Sequence, residues 1–246
     1  MGVLGIDEGE VRWQGHPITR GDRRSFGYMP EERGLYPKQP ILDQLVYLAQ
    51  LKGMDGTAAR AAVRVLLERF GLSAREKDHL EKLSLGNQQR AQIIASVLPH
   101  PAALVLDEPF SGLDPAAVDS MADLLAEYTQ DGVAVLFSSH QLDLVERLCD
   151  RLVVLSQGRV VAAGTVAKLR DTGMPRFRLV LGGDAGWVRN QRGLQVLDLD
   201  GSTALLEVRE PGAEQHVIAE ASRRGDVHEF VQVRPALSEI YREVSR

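Results

Sequence analysis

Leu104-Val105-Leu106-Asp107-Glu108-Pro109, followed one residue later by Ser111-Gly112-Leu113-Asp114-Pro115, is the stretch that decides the fold. Residues 102–106 form a short, unbroken apolar run, the pattern of a strand covered on both faces of a sheet. Two carboxylates stand where that strand emerges into a loop. A second run of the same kind, Val133-Ala134-Val135-Leu136-Phe137, ends on Ser138-Ser139-His140. A helical pattern fills residues 116–128 between the two runs, and another covers 141–149. This strand–helix–strand–helix order predicts an α/β fold built on a parallel sheet with crossover helices. Such sheets present their reactive groups at the carboxyl ends of their strands, which places Asp107, Glu108 and His140 near one edge.

The chemistry open to these residues follows from their types. A carboxylate at a strand end can hold Mg²⁺, directly or through water, while the next one orients or deprotonates an attacking water. Asp-Glu-Pro is equally a way to end a strand at a turn, and the Ser111–Asp114 segment behind it is what favours the chemical reading. His140 can contact a phosphate and the attacking water, although a histidine at a strand end also serves as an ordinary structural residue.

Upstream, residues 9–15 alternate between glycines as a short antiparallel strand and turn would, and residues 25–29 read as another strand leading into the loop from Pro30 to Pro37. The pattern is helical from residue 41 to 98. Ala62, Val63, Leu66, Leu67 and Phe70 recur at helical spacing as a core stripe, with Thr57 placed to cap that helix and Gly71 to end it. Downstream, residues 152–155 and 159–164 read as a hairpin turning at Gln157-Gly158. After residue 172 the pattern changes to strands at 177–181, 194–199 and 204–208, a helix near 214–223, a strand at 227–233 and a final helix from Pro235. This is a small α+β C-terminal domain, 173–246, behind a first domain at 1–172.

Composition limits the setting. With 246 residues, 44% of them hydrophobic, the chain can bury a packed core. A formal charge of −5 argues against a strongly cationic nucleic-acid module, so no nucleic-acid partner is expected. The lone cysteine, Cys149, cannot form an intrachain disulfide and suits a reducing cytosol as a small buried residue. No apolar run approaches the roughly 20 residues of a membrane span, so membrane association is expected to come through a partner.

Leu83-Ser84-Leu85-Gly86-Asn87-Gln88-Gln89-Arg90, the strand ending in Asp107 with Glu108, Ser111-Gly112-Leu113-Asp114, and His140 stand in an order and spacing that resemble the nucleotide-binding domain of ATP-binding cassette (ABC) proteins. The resemblance covers nearly all of residues 7–170. It implies a P-loop NTPase-like core with a helical subdomain at about 38–100, and ATP and Mg²⁺ as ligands. By resemblance, Asp107 serves Mg²⁺, Glu108 polarises the hydrolytic water, His140 senses the γ-phosphate and Asp114 communicates across a dimer. Asn87 would start a helix whose N-terminus, with Ser84, Gly86 and Gln88, faces ATP held by the opposite subunit. Glu31 takes the place of the family's usual loop glutamine, able to reach metal or water. Leu85 and Asn87 depart from the usual Leu-Ser-Gly-Gly-Gln, while Gly86 is kept.

The resemblance further implies a second ATPase subunit in a head-to-tail dimer, and a transmembrane permease holding the chain at the inner face of the cell membrane. The segment around Leu35 and Tyr36 would form the permease socket if exposed, or pack into the core. Pro235-Ala236-Leu237-Ser238-Glu239-Ile240-Tyr241 resembles the closing helix of the multidrug and sodium-export branch.

One element of the resemblance is missing. A phosphate-binding P-loop ends in Gly-Lys-Ser/Thr behind Gly-rich backbone. The lysines here are Lys38, Lys52, Lys77, Lys82 and Lys168, and none follows a glycine. The loop, and an aromatic residue that stacks on adenine, would lie upstream of Asp7, where six residues stand. The expectation is a chain truncated before or through the P-loop and weak or inactive alone. A non-catalytic partner that offers the signature-like segment Leu83–Arg90 in trans and a soluble non-transport ABC ATPase are the alternative readings.

Overall fold

The computed structural model describes residues 1–2, 4–32, 34–170, 174–234 and 237. The expected boundary at 172/173 and, apart from Leu237, the closing helix from Pro235 lie outside the described residues. The chain divides into two compact units, Met1–His140 and Gln141–Arg246.

In the first unit, β1 (Arg12–Trp13) and β2 (His16–Pro17) form a small hairpin, followed by α1 (Arg20–Arg24) and β3 (Phe26–Met29). A helical layer comes next, α2 (Ile41–Leu51), α3 (Gly56–Arg69) and α4 (Leu85–Val97). The chain then returns through β4 (Ala103–Leu106), α5 (Pro115–Gln130) and β5 (Ala134–Phe137). The expected parallel sheet is present, in the order β3-β4-β5. Met29 pairs with Leu106 and Leu106 with Phe137, so the three strands finish level. The Asp107 amide donates to Met29 O at 2.9 Å and the Ser138 amide to Leu106 O at 3.0 Å, which carries the ladder one residue beyond each strand. Everything that follows a strand therefore leaves from one edge.

Burial follows the pattern for β4, whose Leu104 and Leu106 are enclosed. It does not for β5, which was expected to be covered on both faces. Among the described residues β5 pairs with β4 alone and so lies at the sheet's edge, and Leu136 is 67% exposed. In the helical layer Val63, Leu67 and Phe70 are buried as the stripe requires. The cap of α3 is Asp55 rather than Thr57. Its carboxylate accepts the amides of Thr57 (2.9 Å) and Ala58 (3.2 Å), so Thr57 is one of the groups being capped. Leu35 is buried while Tyr36 stays exposed. The buried Gln44 holds this loop: its Oε1 accepts from Tyr36 N at 3.0 Å, and its Nε2 donates to Gln39 O at 3.1 Å.

Gly27 lets β3 approach α4 at backbone distance. A Cβ there would lie 2.1 Å from Ser96 O and 2.6 Å from a Leu104 methyl. Neither strand nor helix can yield without shifting the sheet. Gly27→Ala is expected to destabilise this unit by about 3 kcal/mol, the upper end of overpacking effects. Urea unfolding checks this, and an unchanged midpoint would contradict the packing described.

The second unit opens with α6 (Leu142–Leu148), the hairpin of β6 (Arg151–Ser156) and β7 (Arg159–Thr165), and α7 (Val166–Arg170). Gln157 and Gly158 both have positive φ, 50° and 75°, as the tight turn expected there demands. Strands β8 (Arg176–Leu181), β9 (Leu194–Asp200) and β10 (Thr203–Val208), helix α8 (Ala213–Arg224) and β11 (Val227–Val233) complete it. The sheet is antiparallel in the order β11-β8-β10-β9. Val217 and Ala221 of α8 pack with Leu179, Leu181 and Leu206 in its core. No helix among the described residues is long and apolar enough to cross a membrane.

Candidate active site

The level ends of β3, β4 and β5 set Glu31, the Asp107-Glu108 pair and the Ser138–His140 segment along one edge. Glu108 is the best-held residue of the three strand ends. Its φ is +45°, in the left-handed region that a non-glycine residue enters at a cost of about 1–3 kcal/mol. Its amide donates to Ser138 Oγ at 3.0 Å, and its carbonyl accepts Gln89 Nε2 at 3.1 Å and the Ser111 amide at 3.1 Å. The carboxylate turns inward, with Oε1 2.9 Å from His140 Nδ1, while Oε2 is buried with no partner among the described residues. The imidazole itself is largely exposed. The Ser138 hydroxyl donates a short hydrogen bond to Asp107 Oδ1. Glu31, one strand over, has an exposed side chain.

The signature segment sits at the start of α4. The helix begins at Leu85 with Ser84 as its N-cap, two residues before Asn87, which was expected to start it. Ser84 Oγ accepts the Asn87 amide at 3.4 Å. Gln88, expected on the nucleotide-facing surface, is buried, and its Nε2 donates to Leu83 O at 2.8 Å. The α-helical turn at Ser84 explains this, because it rotates the residue after Asn87 toward the core. Gly86 has a neighbour of its own: a Cβ there would stand 2.9 Å from Gly112 O. Its lack of a side chain thus already serves packing against the Ser111–Asp114 loop within this chain.

Asp114 caps α5, with Oδ1 on the Ala117 amide (2.8 Å) and Pro115 at the first helical position. Its Oδ2 accepts Arg90 Nη2 at 3.0 Å. Nothing in the sequence pattern marks Gln89 and Arg90, which lie on the second turn of α4 and join the site only through their tertiary contacts. Ser138 carried a signal, a hydroxyl directly after an apolar strand.

These residues fit Mg²⁺. Asp107 and Ser138 present adjacent hard oxygen donors, and the unpartnered Glu108 oxygen is an acceptor left free for a water. Among the described residues no cluster of three or more metal-binding side chains occurs, so the remaining ligands would be phosphate oxygens and waters, as is usual for Mg²⁺.

Comparison with known proteins agrees with this architecture. The family profile described as ABC transporter matches residues 1–111, and that of the ATP-binding protein DrrA1-3-like, C-terminal domain, matches 164–245. The uncharacterized ABC transporter ATP-binding protein YhaQ of Bacillus subtilis is 36% identical over 244 residues, covering 99% of this chain and 82% of that protein. The linearmycin resistance ATP-binding protein LnrL of B. subtilis is 30% identical over 171 residues, 68% of this chain and 55% of LnrL. A solved structure of the ATP binding subunit of an ABC transporter superposes with a TM-score of 0.63 at 31% identity, covering 69% of this chain and 72% of that one. The fold is that of the ABC ATPases, with an α+β unit behind it. The chain belongs to the ATP-binding subunits of ABC transporters.

Proposed function

We propose that this chain is an ATP-hydrolysing subunit that powers export through a separate membrane-spanning permease, in a head-to-tail pair of ATPase subunits at the inner face of the cell membrane. The observation that carries the hydrolytic role is the Glu108 carboxylate, fixed 2.9 Å from His140 with its second oxygen buried and free, beside Asp107. Glu108 would orient the attacking water and draw its proton, and His140 would contact the γ-phosphate from the exposed side. Asp107 with Ser138, and Glu31 from the neighbouring strand, would hold Mg²⁺, which supplies neutralisation of phosphate charge. Ser84, Gly86 and Asn87 would face ATP on the opposite subunit, and Asp114 would lie along the same contact. The similarity to a linearmycin resistance ATP-binding protein supports export as the direction, since expelling a compound is one way to resist it. Tyr36, 56% exposed beside the Gln44 clamp, suits the permease socket. We assign residues 1–172 to the ATPase domain, with its helical subdomain at about 38–100, and 173–246 to an accessory domain.

The absence of any Gly-Lys pair supports two further statements about the 246-residue polypeptide. It would bind ATP weakly on its own, and it could act as a partner that offers its signature to ATP bound elsewhere. Mixing it with a complete ATPase subunit tests the trans surface. Gly86 is a poor probe because any side chain strikes Gly112 O. Asn87→Asp is cleaner, since it leaves the backbone alone and sets a negative charge toward the phosphate. The chain is expected to stimulate its partner's turnover, and Asn87→Asp to remove that stimulation by about tenfold or more. Undiminished stimulation would refute the trans assignment.

A further inference from the structure

Glu108 occupies a backbone conformation that it would leave if nothing held it there. Of the groups that touch its backbone, Ser138 directly follows the next strand and Ser111 belongs to the same loop. Among the described residues Gln89 alone reaches in from the helical layer. Its Nε2 donates to two successive carbonyls, Glu108 O at 3.1 Å and Pro109 O at 3.3 Å. Two carbonyls facing one side-chain atom fix its identity chemically, because an oxygen there would be repelled by both. One residue on, Arg90 grips the other end of the same loop through Asp114 Oδ2 and bonds Phe70 O at 3.3 Å. Gly86, a turn earlier, abuts Gly112 O. The first two turns of α4 thus hold residues 108–114 at the start, middle and end.

We propose that Gln89 is the positioning residue for Glu108: its carboxamide holds the left-handed turn that points the carboxylate at His140, and ties that carboxylate to the start of α4. This rests on the role given to Glu108 above.

The test uses the 246-residue chain, uniformly labelled with ¹⁵N and ¹³C, and two variants, Gln89→Glu, which keeps the shape and removes the donor, and Gln89→Ala. A residue at positive φ gives a strong intraresidue amide–Hα Overhauser effect, which reads the Glu108 backbone directly. Both variants are expected to lose that signature and to speed exchange of the Ser111 amide about tenfold, with resonances of α2, α3 and β3 unmoved. An unchanged Glu108 signature in both would overturn the proposal. So would general loss of chemical-shift dispersion in both, because Gln89 would then support the fold at large. Neither readout depends on turnover, so failure of the catalytic role of Glu108 would show separately, as hydrolysis that survives Glu108→Gln.

Discussion

Glu108→Gln is expected to lower ATP turnover by about a hundredfold to ten-thousandfold, the span of a lost general base, in a polypeptide that joins these residues to an upstream Gly-Lys-Ser/Thr loop. ATP affinity is expected to hold, since no phosphate contact is assigned to this side chain. The substitution is close to isosteric. The groups that fix the backbone, Ser138 Oγ, Gln89 Nε2 and the Ser111 amide, bind main-chain atoms and survive the change. What disappears is an anionic oxygen that can draw a proton from water, and the buried Oε2 becomes or faces an amide group that cannot. Phosphate release and nucleotide binding, measured side by side, separate the two effects. Turnover retained with normal binding would remove Glu108 from the mechanism and leave His140 and Asp107 without the group they surround.

The parts of this site legible in the sequence are those set by the main chain. An apolar run ending in Asp107-Glu108, and another ending in Ser138-Ser139-His140, already imply a shared edge, because parallel strands that alternate with helices can hardly end elsewhere. The α+β organisation after residue 175 was equally legible, since its strands alternate and its turns carry glycine. What escaped were interactions between residues far apart in the chain. Gln89 and Arg90 look like ordinary helix-surface residues until the 108–114 loop is laid beside them. Gln44 and Gln88 are polar yet buried, because each satisfies backbone groups that would otherwise be orphaned. The start of α4 was misplaced at Asn87 because a serine two residues before a glycine resembles a loop as much as a cap. The edge position of β5 was hidden because an apolar strand reads the same whether or not a neighbour covers it.

The proposed function gives Asp107, Glu108 and His140 the work of positioning metal and water, while no Gly-Lys pair occurs in the 246 residues to grip phosphate. Most of the affinity of such sites for ATP comes from a nest of amides and a lysine around the phosphates. Asp107, Glu108 and His140 cannot replace them, since two of the three are anions that repel the triphosphate when no metal intervenes. The expected dissociation constant for Mg-ATP on the 246-residue polypeptide is therefore about millimolar or weaker, some 4 kcal/mol short of micromolar binding. Calorimetric titration of this polypeptide with Mg-ATP tests that directly. Heat too weak to resolve a site below the millimolar range, with no phosphate released, is the predicted result; micromolar binding with turnover would contradict it.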